Sequence, residues 1–133
     1  MPDLCTYDYA ILRVVPRVER GEFINAGVIL SCASLGTLQA RIELDEMRLR
    51  ALDPRADLPG IRAALAAIPL ICTGGKAAGA LGELSTRERF HWLVAPRSAA
   101  VQTSRVHTGR SDDLDQTMEH LLLRMVRAPG PAL

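Results

Sequence analysis

Long hydrophobic runs are absent from this sequence of 133 residues. No apolar stretch approaches the roughly 20 residues that a membrane-spanning helix requires, so we expect a soluble protein that does not bind membranes. The length fits one domain, residues 1–133, and a hydrophobic content of 48% can fill one core. The first ten residues lack the basic and apolar segments of an export signal, so we expect a cytoplasmic protein.

Cysteine and histidine are too few and too far apart in the sequence to match the spacing of a disulfide framework or a metal site. Cys5, Cys32 and Cys72 are odd in number, lie far apart and form no C-x-x-C pair. A disulfide framework or a structural zinc site needs closely patterned cysteines, so neither is predicted. The three histidines show no metal-binding spacing. We therefore predict no metal and no cofactor, and we interpret the cysteines as buried thiols.

Lysine is almost absent, since Lys76 is the only lysine among 16 basic residues. Fifteen acidic residues balance these bases, and the net charge of +1 gives no overall field that would attract nucleic acid. Arginine is the better bidentate partner for carboxylate or phosphate, so a local anion-binding site stays open. The codon usage of a GC-rich genome explains the same arginine bias.

The motifs of common enzymes are missing as well. In CTGGKAAG, Leu70 stands where a phosphate-binding P-loop needs its first glycine, and Ala77 replaces the hydroxyl residue after the lysine. No G-x-S-x-G motif supplies a serine nucleophile. Enzymatic activity stays open on these grounds, and we favour a protein without it.

The first third of the chain has the pattern of three β-strands. Residues 7–15 are rich in β-branched and aromatic side chains, Pro16 ends that strand, and RVERGE forms an exposed turn that ends near Gly21. FINAGVILSC and TLQARIE alternate as strands do, and Gly27 within the second strand indicates a bulge or a close backbone approach. This alternation places four side chains on one face of the second strand: Ile24, Ala26, Val28 and Leu30.

The rest of the chain favours helices. Asp45, Asp57 and either Asp112 or Asp113 are candidate N-caps, and the glycine-rich tract after Cys72 is a candidate flexible loop. The capping box STRE predicts one helical turn, after which FHWLVAP has strand character and places Trp92 in the core. The predicted fold class is α+β, an antiparallel sheet built on an N-terminal three-strand meander with helices packed on one face. We expect residues 127–133 to be a frayed tail.

Two polar segments contain the candidate binding residues. One is the turn after the first strand with the start of the second, and the other precedes the last helix, where backbone N–H groups and arginines together suit an anion. An exposed loop that only caps the helix explains the later segment equally well, and Asn25 is explained by a structural role at a bulge. The candidate residues are Arg17, Arg20, Glu22, Asn25, Arg97, Arg105, His107 and Thr108.

Several stretches resemble the bacterial family catalogued as domain of unknown function 3037. They are YDYAILRVVPRVERGEFINAGVIL, ARIELDEMRLRALDP and ERFHWLVAPRSAAVQTSRVHTG with the DD that follows, and the most specific pieces are RGEFINAGVIL and VHTG. The resemblance spans nearly the whole chain. The family carries no established activity. Because members are often encoded beside a HipA-like serine/threonine kinase, the resemblance implies such a kinase as a protein partner.

Two hypotheses of function follow. The first is a non-enzymatic interaction or regulatory module that binds a protein partner, and a homo-oligomer is also open. The second is a binding protein or enzyme for an anionic, phosphate-bearing ligand such as a nucleotide or nucleic acid. That ligand would be clamped by Arg17, Arg20, Arg97 and Arg105, with His107 as a weak candidate for a catalytic acid or base. Both hypotheses predict that the turn and the VHTG segment converge at one end of the sheet.

Overall fold

The chain folds around one antiparallel β-sheet. The computed structural model describes residues 4–130. Within them the strand order is β3-β2-β1-β4, and β5 also pairs with β1. The strands are β1 (Cys5–Val14), β2 (Ile24–Cys32), β3 (Thr37–Ile42), β4 (Val101–Thr103) and β5 (His107–Ser111). The helices are α1 (Glu46–Leu52), α2 (Leu58–Thr73), α3 (Thr86–Val94) and α4 (Leu114–Leu121). The α+β class and the N-terminal meander are confirmed.

Strands β4 and β5 share one edge of β1. β4 pairs with residues 12–14 and β5 pairs with residues 5–9. Between them the Ser104 N–H donates to the Ile11 carbonyl at 2.8 Å, and the Ser104 hydroxyl accepts from the Ile11 N–H at 2.8 Å. Residues 101–111 therefore run along the whole of β1 as one interrupted edge strand.

Apolar side chains pack on both faces of the sheet. On one face Leu12 and Ile29 join the core formed with α1, α2 and α3, which is the helical layer that the sequence predicts. On the other face Ile11 and Leu30 pack against Met118 of α4 and its neighbours. The last helix thus adds a second layer that the sequence pattern does not show.

A β-bulge at Ala26 reverses the faces of β2. Leu12 pairs with Gly27 and Arg13 with Asn25, so Ala26 has no partner of its own on β1. Ala26 consequently packs with the α1–α3 core, whereas Val28 packs with α4. The predicted placement of four alternating residues on one face is wrong for this reason.

Gly27 lies in tight contact with β3, as its position in a strand indicates. A Cβ atom on Gly27 would lie 2.6 Å from the Arg41 carbonyl oxygen and 3.1 Å from a Leu12 methyl group. Main chain occupies the space of a side chain there, so the close backbone approach is confirmed.

The predicted helix caps are confirmed, but α3 is longer than predicted. Asp45, Asp57 and Asp113 each accept a backbone N–H in the first turn of a helix, and Ser85 forms its capping box. The segment FHWLVAP continues that helix to Val94, so its interpretation as a strand is wrong. Helical spacing buries Phe90 and Leu93 and leaves Trp92 40% exposed, outside the predicted core.

The glycine-rich tract forms 3-10 turns over Lys76–Glu83 and is anchored by Arg89. The buried Arg89 guanidinium donates to the Leu84 carbonyl at 2.6 Å and to the Cys72 carbonyl at 3.3 Å. It lies so close to Gly74 that a Cβ there would be 2.9 Å from its central carbon. The tract is therefore tied to the end of α2 and the start of α3.

Within residues 4–130, no single helix combines the length and apolar character needed to cross a membrane. Helix α2 and the Lys76–Glu83 segment meet that criterion only as a pair, and they are bent by 63° at the break between them.

After α4 the chain continues as one π-helical turn, Leu122–Val126. Arg127 follows and binds both carboxylate oxygens of Glu43 at 2.8 and 2.9 Å, with a further hydrogen bond to Glu119. The first residue of the expected frayed tail is thus an anchor, and residues 131–133 of that tail lie outside the described residues.

Candidate functional site

Only the first part of the later candidate segment, which contains Arg97, meets the turn, and the VHTG part does not. Val101 pairs with Val14, next to the turn, whereas His107 pairs with Tyr9. Val14 lies five positions after Tyr9 along β1, which is about 16.5 Å at a rise of roughly 3.3 Å per residue. The predicted convergence of the turn with VHTG is wrong because residues 101–111 follow β1 from one end to the other.

The turn instead meets the segment that leads into β4. Together they enclose an open cleft of about 590 Å³ at the end of the sheet. A 3-10 turn, Val18–Arg20, precedes Gly21, whose φ of 68° lies in the left-handed region that glycine adopts readily. We call this site the arginine cleft, and its lining residues are Arg13, Val15, Val18, Gly21, Phe23, Pro96, Arg97, Ser98 and Gln102.

Arg13 and Arg97 supply the charge of the cleft, and each stacks on an aromatic ring. The guanidinium of Arg13 lies 4.3 Å from the centroid of Phe23, and that of Arg97 lies 4.4 Å from the centroid of Trp92. Within residues 4–130, neither arginine has a carboxylate within salt-bridge distance. The two positive charges are held in place and left uncompensated.

Local backbone contacts fix the orientation of Arg97. Its Nε donates to the Ala95 carbonyl at 3.3 Å, and a terminal nitrogen donates to the Trp92 carbonyl at the end of α3. Arg13 differs, because its buried Nε finds no acceptor in the described part of the chain. A buried donor without a partner costs free energy.

Arg17, Arg20 and Glu22 lie beside the cleft but have partners already. The Arg17 Nε is 3.3 Å from an oxygen of Asp53, whose side chain is buried. Arg20 binds Glu22, and this hydrogen bond raises the pKa of Arg20 above its ordinary value. These arginines were predicted as clamps, yet their charges are neutralised within the chain. Arg13 takes their place as a candidate.

Asn25 lies on the opposite face from the α1–α3 core and ties β2 to the π-helical turn. Its side-chain amide donates to the Met125 carbonyl at 2.8 Å, and its carbonyl oxygen is buried without a partner in the described part of the chain. The structure therefore places Asn25 in a tertiary hydrogen bond beside the bulge and not among the residues that line the cleft.

The remaining candidates lie along the far part of the edge strand. Arg105 is exposed in the break between β4 and β5. The His107 ring stacks on Tyr9 with centroids 5.2 Å apart, and the Thr108 hydroxyl donates to Asp8 at 2.6 Å. His107 is thus too far from the arginine cleft to act as an acid or base on a ligand bound there.

The arginine cleft has the chemistry of a binding site. Among its described lining residues there is no carboxylate, histidine or cysteine, and the neutral polar side chains are Ser98 and Gln102. Such a lining can bind an anion and cover apolar surface, but it offers no group that titrates near neutral pH.

The fold and the cleft lie within a recognised sequence family. The model of a protein family of unknown function, DUF3037, matches residues 9–126. The chain belongs to this family. The matched range runs from β1 to the π-helical turn and includes every residue that lines the arginine cleft. No curated protein and no solved structure shows significant similarity to the chain.

Proposed function

We propose that this protein is a non-enzymatic interaction module that binds an acidic segment of a partner protein in the arginine cleft. The observation that carries the proposal is the uncompensated charge of Arg13 and Arg97, each stacked on an exposed ring. An acidic side chain from a partner would form charge-assisted hydrogen bonds with these guanidiniums.

The surroundings of the two arginines support a protein as the occupant. Phe23 and Trp92 are 42% and 40% exposed, and Val18 is 41% exposed. Aromatic residues and arginine are enriched at the centres of protein interfaces, where they contribute most of the binding free energy. A partner that covers this cluster would remove apolar surface from water while it neutralises the charge.

A HipA-like serine/threonine kinase is the partner that we propose, on the basis of the family resemblance. In this proposal the module occupies an acidic surface of the kinase and regulates it without chemistry of its own. A second copy of the chain is the competing occupant, since a homo-oligomer would cover the same cluster.

A phosphate-bearing ligand is the alternative occupant, because guanidinium groups bind phosphate as readily as carboxylate. The open cleft of about 590 Å³ can accept a nucleotide-sized molecule. In this alternative Arg13 and Arg97 bind the phosphate group, and His107 has no role.

Co-purification with charge-removing variants tests the proposal. The affinity-tagged wild type is compared with the double variant Arg13→Gln, Arg97→Gln and with the control Arg110→Gln, an exposed arginine at the other end of β1. We expect a HipA-like kinase to elute with the wild type and the control and to be lost from the double variant. A kinase that elutes equally with all three proteins contradicts the proposal, and a nucleotide lost only from the double variant supports the alternative.

A further inference from the structure

The outer edge of β4 presents main chain that has no partner within residues 4–130. The Val15 N–H donates to the Ala100 carbonyl at 2.7 Å, and the Ser104 N–H donates to the Ile11 carbonyl at 2.8 Å. Even-numbered residues of this segment therefore face β1. Because main-chain groups alternate in direction along an antiparallel strand, the N–H and C=O groups of Val101 and Thr103 point away from the sheet.

An apolar cavity of about 270 Å³ lies along this edge, on the face covered by α2 and α3. Consecutive residues 99–103 all line the cavity, so it follows the main chain of β4. Its walls are Ala64, Ala67 and Ile68 of α2 together with Trp92. Most of the side chains that line the cavity are apolar, and Arg97, Gln102 and Thr103 are the polar exceptions.

The arginine cleft lies on the other face of the same strand. Gln102 pairs with Arg13 across β1, and both side chains line the cleft. Arg97 lines both the arginine cleft and the apolar cavity, so the two sites are adjacent at the outer edge of β4. One short strand thus separates a positively charged site from an apolar site.

From this arrangement we propose that the partner's segment adds to the sheet as a strand along the outer edge of β4. Successive side chains of a strand point to opposite faces. The added strand therefore places acidic side chains towards Arg13 and Arg97 and apolar side chains into the cavity. This inference rests on the proposed function and specifies its ligand as an extended segment in which acidic and apolar residues alternate.

The short length of β4 limits how many main-chain hydrogen bonds a partner strand can form. Only Val101 and Thr103 offer outward main-chain groups within this three-residue strand. Main-chain hydrogen bonds provide affinity in strand addition, and side-chain pockets provide selectivity. Because so few main-chain bonds can form here, charge and apolar contact must select the partner's segment.

Two synthetic peptides of equal composition test the inference. One is an acetylated, amidated hexapeptide in which Glu and Val alternate, and the other has three Glu followed by three Val. Trp92 is the only tryptophan of the chain and lines the cavity, so its fluorescence reports binding. We expect saturable binding of the alternating peptide and at least roughly tenfold weaker binding of the block peptide, a difference of about 1.4 kcal/mol.

A main-chain variant separates strand addition from simple charge attraction. Thr103→Pro removes an N–H that points away from β1 and leaves the hydrogen bonds to β1 intact. Edge strands tolerate proline at such a position. We expect Thr103→Pro to weaken binding of the alternating peptide about tenfold and to leave binding of the block peptide unchanged. N-methylation of alternate peptide amides provides the same test without changing the protein, since only the register that faces β4 should lose affinity.

The outcomes distinguish this inference from the proposed function. No binding of the alternating peptide at about 1 mM overturns strand addition. Equal binding of both peptides, sensitive to Arg13→Gln and Arg97→Gln but not to Thr103→Pro, also overturns strand addition and retains the acidic partner. If partner capture is insensitive to the two arginine substitutions, the proposed function fails by itself.

Discussion

The guanidinium of Arg13 lies 4.3 Å from the centroid of the Phe23 ring, and no carboxylate among residues 4–130 compensates its charge. Stacking on an aromatic face stabilises a cation by about 0.5–1 kcal/mol at an exposed site, which is less than a charge-assisted pair provides. Arg13 is therefore positioned by the chain and still able to bind an acidic group from outside.

Replacement of Gly27 by alanine is expected to destabilise the sheet. The added Cβ would lie 2.6 Å from the Arg41 carbonyl, and main chain cannot move aside as a flexible side chain can. We expect Gly27→Ala to lower the free energy of urea unfolding by about 1–3 kcal/mol. Gly130→Ala is the control, because nothing lies within 4 Å of its Cβ position. Equal stability of the two variants would refute the close contact.

The anchor of the C-terminal segment should weaken in acid. Hydrogen bonding by Arg127 lowers the pKa of Glu43 and of Glu119. A lowered carboxyl pKa stabilises the fold fully above the ordinary value of about 4.3, and this stability is lost as pH falls through the lowered pKa. We expect Arg127→Gln to lower the urea midpoint of unfolding at neutral pH, because Glu43 and Glu119 then lose their shared partner.

Urea unfolding at several pH values measures this effect. The difference between the wild type and Arg127→Gln should shrink steadily below about pH 4. Arg124→Gln is a matched control, since Arg124 is exposed in the same segment and forms none of the ion pairs found within residues 4–130. A difference that persists unchanged at about pH 3 would show that Arg127 acts through packing alone.

The buried arginine of α3 should determine the stability of the glycine-rich tract. Arg89 donates to the carbonyls of Leu84 and Cys72, and methionine keeps its bulk without its donors. We expect Arg89→Met to lower the unfolding free energy by about 2–3 kcal/mol and to speed proteolysis within residues 74–84. The exposed neighbour Arg87→Met should do neither. If the rate of proteolysis is unchanged in Arg89→Met, the Arg89 side chain does not stabilise the glycine-rich tract.

The thiol of Cys72 should resist alkylation while the protein is folded. Burial raises the pKa of Cys72 to about 12, so at pH 8 only roughly one such thiol in ten thousand is ionised. Peptide mapping after iodoacetamide treatment should show Cys72 modified in urea and unmodified in buffer, whereas the partly exposed Cys5 reacts faster than Cys72 in buffer. Rapid labelling of Cys72 in the folded protein would contradict its buried position.

Features set by neighbouring residues could be predicted from the sequence. Asp45, Asp57 and Ser85 were identified as caps because an N-cap binds a backbone N–H only a few residues along the chain. The three-strand meander depends on short connections, which the sequence marks with Pro16 and Gly36. Gly27 within β2 indicates a bulge or a close backbone approach, and the structure has both at this point.

Features that need distant contacts could not be predicted. Gly27 indicates a bulge or a close backbone approach, but nothing in the sequence shows that Ala26 is the unpaired residue at which the alternation of β2 reverses. Trp92 was assigned to the core because its neighbours resemble a strand, but the capping box at Ser85 begins a helix that continues through them. Local strand propensity is overridden by the packing of Phe90 and Leu93.

In the candidate site, too, the residues with local roles could be predicted and those that depend on distant contacts could not. Arg17 and Arg20 were chosen from an exposed turn, but the partner of Arg17 is Asp53, on a different element. The sequence pattern does not mark Arg13 as a binding residue, because it lies within an otherwise apolar run; a charged residue in such a strand is nevertheless a signal. Whether residues 96–102 or 107–109 meet the turn depends on strand pairing, which composition does not encode.

Isothermal titration of a purified HipA-like kinase into this protein measures whether the proposed partner binds in the arginine cleft. The titration compares the wild type, the double variant Arg13→Gln, Arg97→Gln, and the control Arg110→Gln. We expect the double variant to bind at least about 30-fold more weakly, a loss of roughly 2 kcal/mol, and the control to match the wild type. Equal dissociation constants for all three proteins would contradict the arginine cleft as the binding site.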